Sequence, residues 1–146
     1  MGHTAVARWS LPPSGKLKLN TDGACDQQGS IEGDPFKAEV EALKLGLILM
    51  WDVNMRSAVC EVDCIELVQA LVDERYQFHA MASDLLDIRL LLDRDWDVEL
   101  MHISRDANEV ADYLAGLGSG LQCTYTCLEA PPPQLCPILV MDLLAL

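Results

Sequence analysis

The sequence predicts an α/β fold with a mainly parallel sheet. Segments of strand period and segments of helical period follow one another as strand, helix, strand, helix, helix, strand, helix. That order implies helices as right-handed crossovers between parallel strands. The length of 146 residues and the 51% share of hydrophobic residues suit one domain with a sizeable core.

The elements are read in chain order. Residues 1–15, "MGHTAVARWSLPPSG", form a leader whose Pro12, Pro13 and Gly15 mark an irregular approach. From Lys16 to Asp22 the residues alternate, with Leu17, Leu19 and Thr21 on one face and Lys18, Asn20 and Asp22 on the other. Gly23 ends this strand, and residues 25–34 are polar and rich in turn formers. Asp34-Pro35 is a helix start, a capping acid followed by proline at the first helical position. Phe36, Val40, Leu43, Leu47 and Met50 then recur at helical spacing up to Trp51. "SAVCEVDC" is a second strand, with Val59, Glu61 and Asp63 opposite Cys60, Val62 and Cys64. Helices follow from about 65 to 74 and from about 82 to 92, the latter turning Leu85, Ile88 and Leu92 inward. "DVELMHIS" is a third strand. The last helix of the domain runs from Asn108 to Leu117, with Val110, Leu114 and Leu117 on its packed side. The domain is expected over residues 16–118, and residues 119–146 read as a tail with a polyproline stretch and a short apolar segment.

Charge and cysteine content bound the function classes. The net charge of −13, from 23 acids and 10 bases, opposes non-specific nucleic-acid binding, which needs Lys and Arg along the phosphates. Divalent cations can still bring an acidic chain to nucleic acid. No membrane association is expected. The C-terminal "LCPILVMDLLAL" is too short to span a bilayer and is interrupted by Asp142, and Val6 stands where a myristoylation signal needs Ser or Thr. With no secretory signal in view, the six cysteines are expected as reduced thiols of an intracellular protein, in nucleus or cytoplasm. Cys60 and Cys64, like Cys123 and Cys127, are four residues apart, but the usual zinc spacings and nearby histidines are missing. Small buried thiols are the favoured account.

Asp22 and Asp63 both fall at strand carboxyl ends, where parallel sheets bind ligands, and Glu39 lies in the second turn of a helix that starts from that edge. Asp112 turns away from Val110 and Leu114 and shares a face with Asn108, free of the core. Hard cations such as Mg²⁺ are held by carboxylate oxygens of this kind. With 23 acids present, each taken singly is more simply a solvated surface charge, and Glu61 is a rival ligand two residues before Asp63.

Four segments in order, "PPSGKLKLNTDGA", "DPFKAEVEALKLGLILMWD", "CEVDCIELVQAL" and "MHISRDANEVADYLAGLG", resemble the plant reverse-transcriptase-like branch of the ribonuclease H family. The resemblance runs from about Trp9 to Leu117, and the proline-containing tail is similar to a segment that often follows in that branch. It implies a ribonuclease H-like α/β fold in which four carboxylates hold two Mg²⁺ ions, with Mn²⁺ as an alternative, and cut the RNA strand of an RNA–DNA hybrid. The "DGA" of the first strand matches at Asp22 and the "AE" of the first helix at Glu39. The "E-x-D" of the next parallel strand matches at Asp63, and the "N-x-x-A-D-x-L-A" of the last helix at Asp112, with Asn108 one turn earlier. The implied partner is a hybrid or other nucleic acid, with Arg105 and Asn108 as substrate contacts. The loop histidine of bacterial and animal enzymes is replaced by "SRDAN", and His102 reads instead as a packed strand residue.

The chain departs from the family in one place. Asp22 and Glu39 are only 17 positions apart, and nothing between them reads as a strand. The family sheet has the order 3-2-1-4-5, so strands two and three are expected to be missing. A reduced three-stranded, mainly parallel sheet flanked by helices remains, with strand one as an exposed edge. A hairpin excursion returns to the end of the sheet from which it left, so its loss leaves the four acids free to converge. Two readings follow: a Mg²⁺-dependent RNA–DNA hybrid endoribonuclease, and a catalytically inactive remnant acting as a nucleic-acid-binding or interaction module.

Overall fold

A computed structural model of the chain describes residues 7–24, 34–119 and 126–144. Three strands, β1 (Leu17–Thr21), β2 (Ser57–Val62) and β3 (Asp97–His102), form one parallel sheet in the order β1-β2-β3. The register sets Leu19 against Cys60 and Cys60 against Leu100. Among the described residues the expected reduced sheet is therefore present, with β1 at an edge. The segment expected to replace strands two and three, residues 25–33, lies outside the described residues.

Helix α1 (Pro35–Asp52) begins as its sequence requires. The Asp34 carboxylate accepts a hydrogen bond of 3.0 Å from the Phe36 N–H, and Pro35 occupies the first turn. Helices α2 (Ile65–Val72) and α3 (Ala82–Leu92) follow β2, and α4 (Glu109–Ser119) follows β3 after a 3-10 turn at Arg105–Ala107. A fifth helix, α5 (Cys136–Leu144), comes from the tail and touches α4.

The core unites Val40, Leu43, Leu47 and Met50 of α1 with Ala58, Cys60 and Val62 of β2, Leu67 and Leu71 of α2, and Leu85, Ile88 and Leu91 of α3. Leu91, rather than Leu92, is the buried member of its turn, and Leu92 packs at the margin. Leu19 of β1 reaches this core, and α1 approaches it closely at Gly46, where an added Cβ would stand 3.0–3.1 Å from Thr21 and Leu19 side-chain atoms.

Two sequence expectations fail at the β3–α4 end. Leu114 and Leu117 are 37% and 40% exposed, while Ala107, Asn108 and Ala111 turn inward. The start of α4 lies against β1 through small residues and one amide, so its bulkier apolar stripe stays outside. His102 does end a strand as expected, but it is exposed rather than packed, because β3 is the far edge of the sheet. Cys60 is buried and its thiol is pushed up to about 12 by burial, and Cys64 is half-buried. Cys123 lies outside the described residues. Among the described residues, no helix is long and apolar enough to cross a membrane.

Candidate metal centre

The carboxyl ends of β1 and β2 bring their acids to one point. Asp22 follows β1 directly, Asp63 follows β2, and the first turns of α1 carry Glu39 across to meet them. One carboxylate oxygen from each of Asp22, Glu39 and Asp63 lies within 4.8 Å of the others.

Gly23 makes this meeting possible. A Cβ at Gly23 would stand 2.3 Å from the Ala38 carbonyl carbon, 2.4 Å from its oxygen and 2.5 Å from the Glu39 nitrogen. No side chain fits, so the backbone of α1 can lie directly on the turn after Asp22. The Gly23 N–H is 3.1 Å from Asp22 Oδ1 and also interacts favourably with the Glu39 carboxylate.

Asp112, on the first turn of α4, stands outside the three-acid group but still reaches Asp22, whose pKa a hydrogen bond between the two carboxyls helps to raise. Arg105, exposed on the preceding 3-10 turn, is close enough for its charge to favour ionised Glu39.

Asn108 occupies a different position from the one expected. It is 2% exposed and does not share a free face with Asp112. Its amide nitrogen donates to the Thr21 carbonyl at 3.0 Å and to Asp63 Oδ2 at 3.1 Å, and its oxygen accepts from Asn20 Nδ2 at 3.1 Å. One side chain thus ties α4 to the ends of β1 and β2 and orients Asp63. Asn20, which sequence reasoning passed over, also donates to Glu61 at 2.9 Å and accepts from the Trp9 indole at 3.1 Å. The only sequence signal was an amide on the face of a strand that also carries Lys18 and Asp22. Glu61, the rival ligand, is engaged by Lys18 at 3.2 Å, both side chains being under 10% exposed. That ion pair removes it from the cluster.

The electrostatics are those of crowded acids. The Asp22 carboxyl is pushed up to about 8, first by burial, then by hydrogen bonding to Glu39 and by the negative charges of Asp63 and Glu39. Glu39 is also raised, chiefly by burial, although hydrogen bonding to Asp22 and Gly23 opposes the shift. The two carboxyls are hydrogen-bonded to each other, and the pair holds a proton above the ordinary carboxylate range. Glu39 is 9% exposed, and its Oε2 is buried with no hydrogen-bond partner among the described residues. A buried oxygen left without a donor is costly, and a cation would satisfy it. The donor set is oxygen throughout, which suits Mg²⁺ or Mn²⁺ and not a thiolate-seeking metal. A cavity of about 560 Å³ opens beside Asn20 and Asn108, and none of the four acids lines it.

A family model described as reverse transcriptase-like matches residues 19–118. A protein of Arabidopsis thaliana bearing the name "Putative ribonuclease H protein" is 25% identical across an alignment of 159 positions that takes in 93% of this chain. The chain spans about a quarter of that relative's length, 26%.

Proposed function

The chain belongs to the ribonuclease H-like, reverse transcriptase-like family, and from that premise we propose that it is a divalent-metal-dependent endoribonuclease acting on the RNA strand of an RNA–DNA hybrid. The observation that carries the reading is the convergence of Asp22, Glu39 and Asp63 within 4.8 Å, with a buried, unpartnered oxygen on Glu39. Two Mg²⁺ ions are the cofactor proposed, Mn²⁺ being the alternative. Bound at these oxygens, such ions supply a water of lowered pKa and offset the charge of the leaving oxygen.

The residues have distinct tasks. Asp22, Glu39 and Asp63 provide oxygen ligands, and Asp112, which already reaches Asp22, closes the set from α4. Asp22 must release the proton that it shares with Glu39 before it can serve as a ligand, so occupancy strengthens as pH rises toward 8. Asn108 fixes Asp63 by binding one of its oxygens and leaves the other for the ligand role. It is a positioning residue, and the expected substrate contact is better assigned to exposed Arg105, whose guanidinium suits a phosphate next to the cluster.

The direct test is cleavage of a labelled RNA–DNA hybrid by purified protein with Mg²⁺, beside Asp63→Asn. Cleavage by wild type should fall in the variant by more than the 10–100-fold typical of outer-sphere changes, on the order expected for a lost ligand. Wild-type protein that leaves the hybrid intact would favour the second reading, an inactive relative that binds nucleic acid or another partner. The charge of −13 is the observation on that side.

A further inference from the structure

We infer that β1 is an association edge, and that its partner is β1 of a second copy of this chain, paired antiparallel so that two three-stranded sheets become one. The inference is independent of catalysis.

Backbone hydrogen bonds determine which groups face outward. The Asp97 N–H donates to the Arg56 carbonyl at 2.7 Å, and the Ile103 N–H to the Val62 carbonyl at 2.9 Å. The even-numbered residues of β2 therefore bond β3, and the odd-numbered residues bond β1. With Lys18 beside Val59 and Asn20 beside Glu61, it is Leu17, Leu19 and Thr21 that bond β2. The N–H and C=O groups of Lys18 and Asn20 point away from the sheet. Among the described residues they find no backbone partner, whereas the neighbouring Lys16 N–H is closed by the Pro13 carbonyl at 3.0 Å.

Nothing in β1 guards this edge. It contains no proline, and Leu17 is 48% exposed. A lysine at an edge normally discourages pairing by projecting its charge into water. Here the Lys18 side chain is only 6% exposed and is committed to Glu61. Trp9 and Ser10 touch the side chains of Lys18 and Asn20, not their backbone groups.

The strand is also complementary to itself. A two-fold axis through Leu19, the midpoint of Leu17–Thr21, sets Leu17 opposite Thr21 of the second copy and Lys18 opposite its Asn20. The outward groups of Lys18 and Asn20 then exchange both bonds in each of two hydrogen-bonded pairs. The residue that meets its own copy is a leucine. An axis one residue earlier would face ammonium against ammonium.

The test combines sedimentation with residue-resolved amide exchange on the full chain over a concentration series. We expect a monomer–dimer equilibrium in which the Lys18 and Asn20 amides slow about tenfold or more on association, while the Leu19 amide, already bonded to β2, changes little. Lys18→Pro in a Glu61→Gln background removes one outward N–H without touching the β1–β2 ladder, and leaves no buried carboxylate without its ammonium. That variant should remain monomeric, with Glu61→Gln alone still dimerising. A wild-type monomer at every concentration overturns the inference. So does a dimer whose Lys18 and Asn20 amides exchange as fast as in the monomer, or one that survives the proline. If the proline variant fails to fold, the wild-type exchange comparison decides alone.

Discussion

Gly23 and Asn108 hold the acid cluster together without contributing to its charge. Gly23→Ala places a methyl group 2.3–2.5 Å from main-chain atoms of Ala38 and Glu39, which cannot move aside as a side-chain tip could. The first turn of α1 must back away, at a cost of about 1–3 kcal/mol for overpacking, and Glu39 moves with it. Thermal melts should show the loss, and Mg²⁺ titration should show weaker binding than in wild type. Asn108→Ala removes the donors to Thr21 and Asp63 and one of the acceptors of the Asn20 amide, so about 2 kcal/mol of stability should go. Asn108→Asp should be worse than alanine in chemical denaturation, since its carboxylate can donate to neither oxygen and sets a further negative charge against Asp63. The raised Asp22 pKa gives a pH signature. Folded protein keeps a proton up to about pH 8 that the unfolded chain releases near 3.8, so the contribution of this group to apo stability is full below that lower value and is lost as pH rises through about 8. Melts in chelator should show that decline, and Asp22→Asn should flatten it.

The elements were legible where local chemistry and burial agree. Asp34-Pro35 announced the start of α1, and Val40, Leu43, Leu47 and Met50 named its buried face. The strands were legible because alternation is explicit in "KLKLNTD" and "SAVCEVDC". Helix α4 was misread for a physical reason. Its leucines satisfy the helical period, but close approach to β1 is made by Ala107, Asn108 and Ala111, and periodicity gives small residues little weight. The same blindness hid Gly23, whose importance lies in the space denied to a Cβ. The acids at strand ends were legible as a group, while Glu61 could be separated from Asp63 only by its buried contact with Lys18. That contact carries a prediction for the β1–β2 pair. Lys18→Met leaves the Glu61 carboxylate buried without its ammonium and should cost about 3–5 kcal/mol, whereas adding Glu61→Gln should recover much of the loss. Urea denaturation of the two variants would measure the difference. Equal stability of both would mean that Glu61 is already solvated.

For the whole molecule, the acid cluster is one part of a chain carrying a net charge of −13, and that charge works against the compact apo state. A divalent cation bound only by folded protein reverses the local penalty and stabilises the fold by RT ln(1 + [L]/Kd), about 2.7 kcal/mol at a hundredfold excess over Kd. General screening would also stabilise so acidic a protein, so a rise in melting temperature with Mg²⁺ is not enough. Specificity comes from variants. Asp63→Asn removes one ligand and one like charge, so its apo form should melt slightly above wild type while its gain from Mg²⁺ shrinks. Asp73→Asn changes an exposed acid at the end of α2 whose carboxylate pairs with Arg75, removes the same unit of charge, and should leave the gain intact. Melts of the three proteins with and without Mg²⁺, at ionic strength matched with monovalent salt, separate the two effects. If wild type gains no more than Asp63→Asn, Asp22, Glu39 and Asp63 are neighbours without being a metal centre.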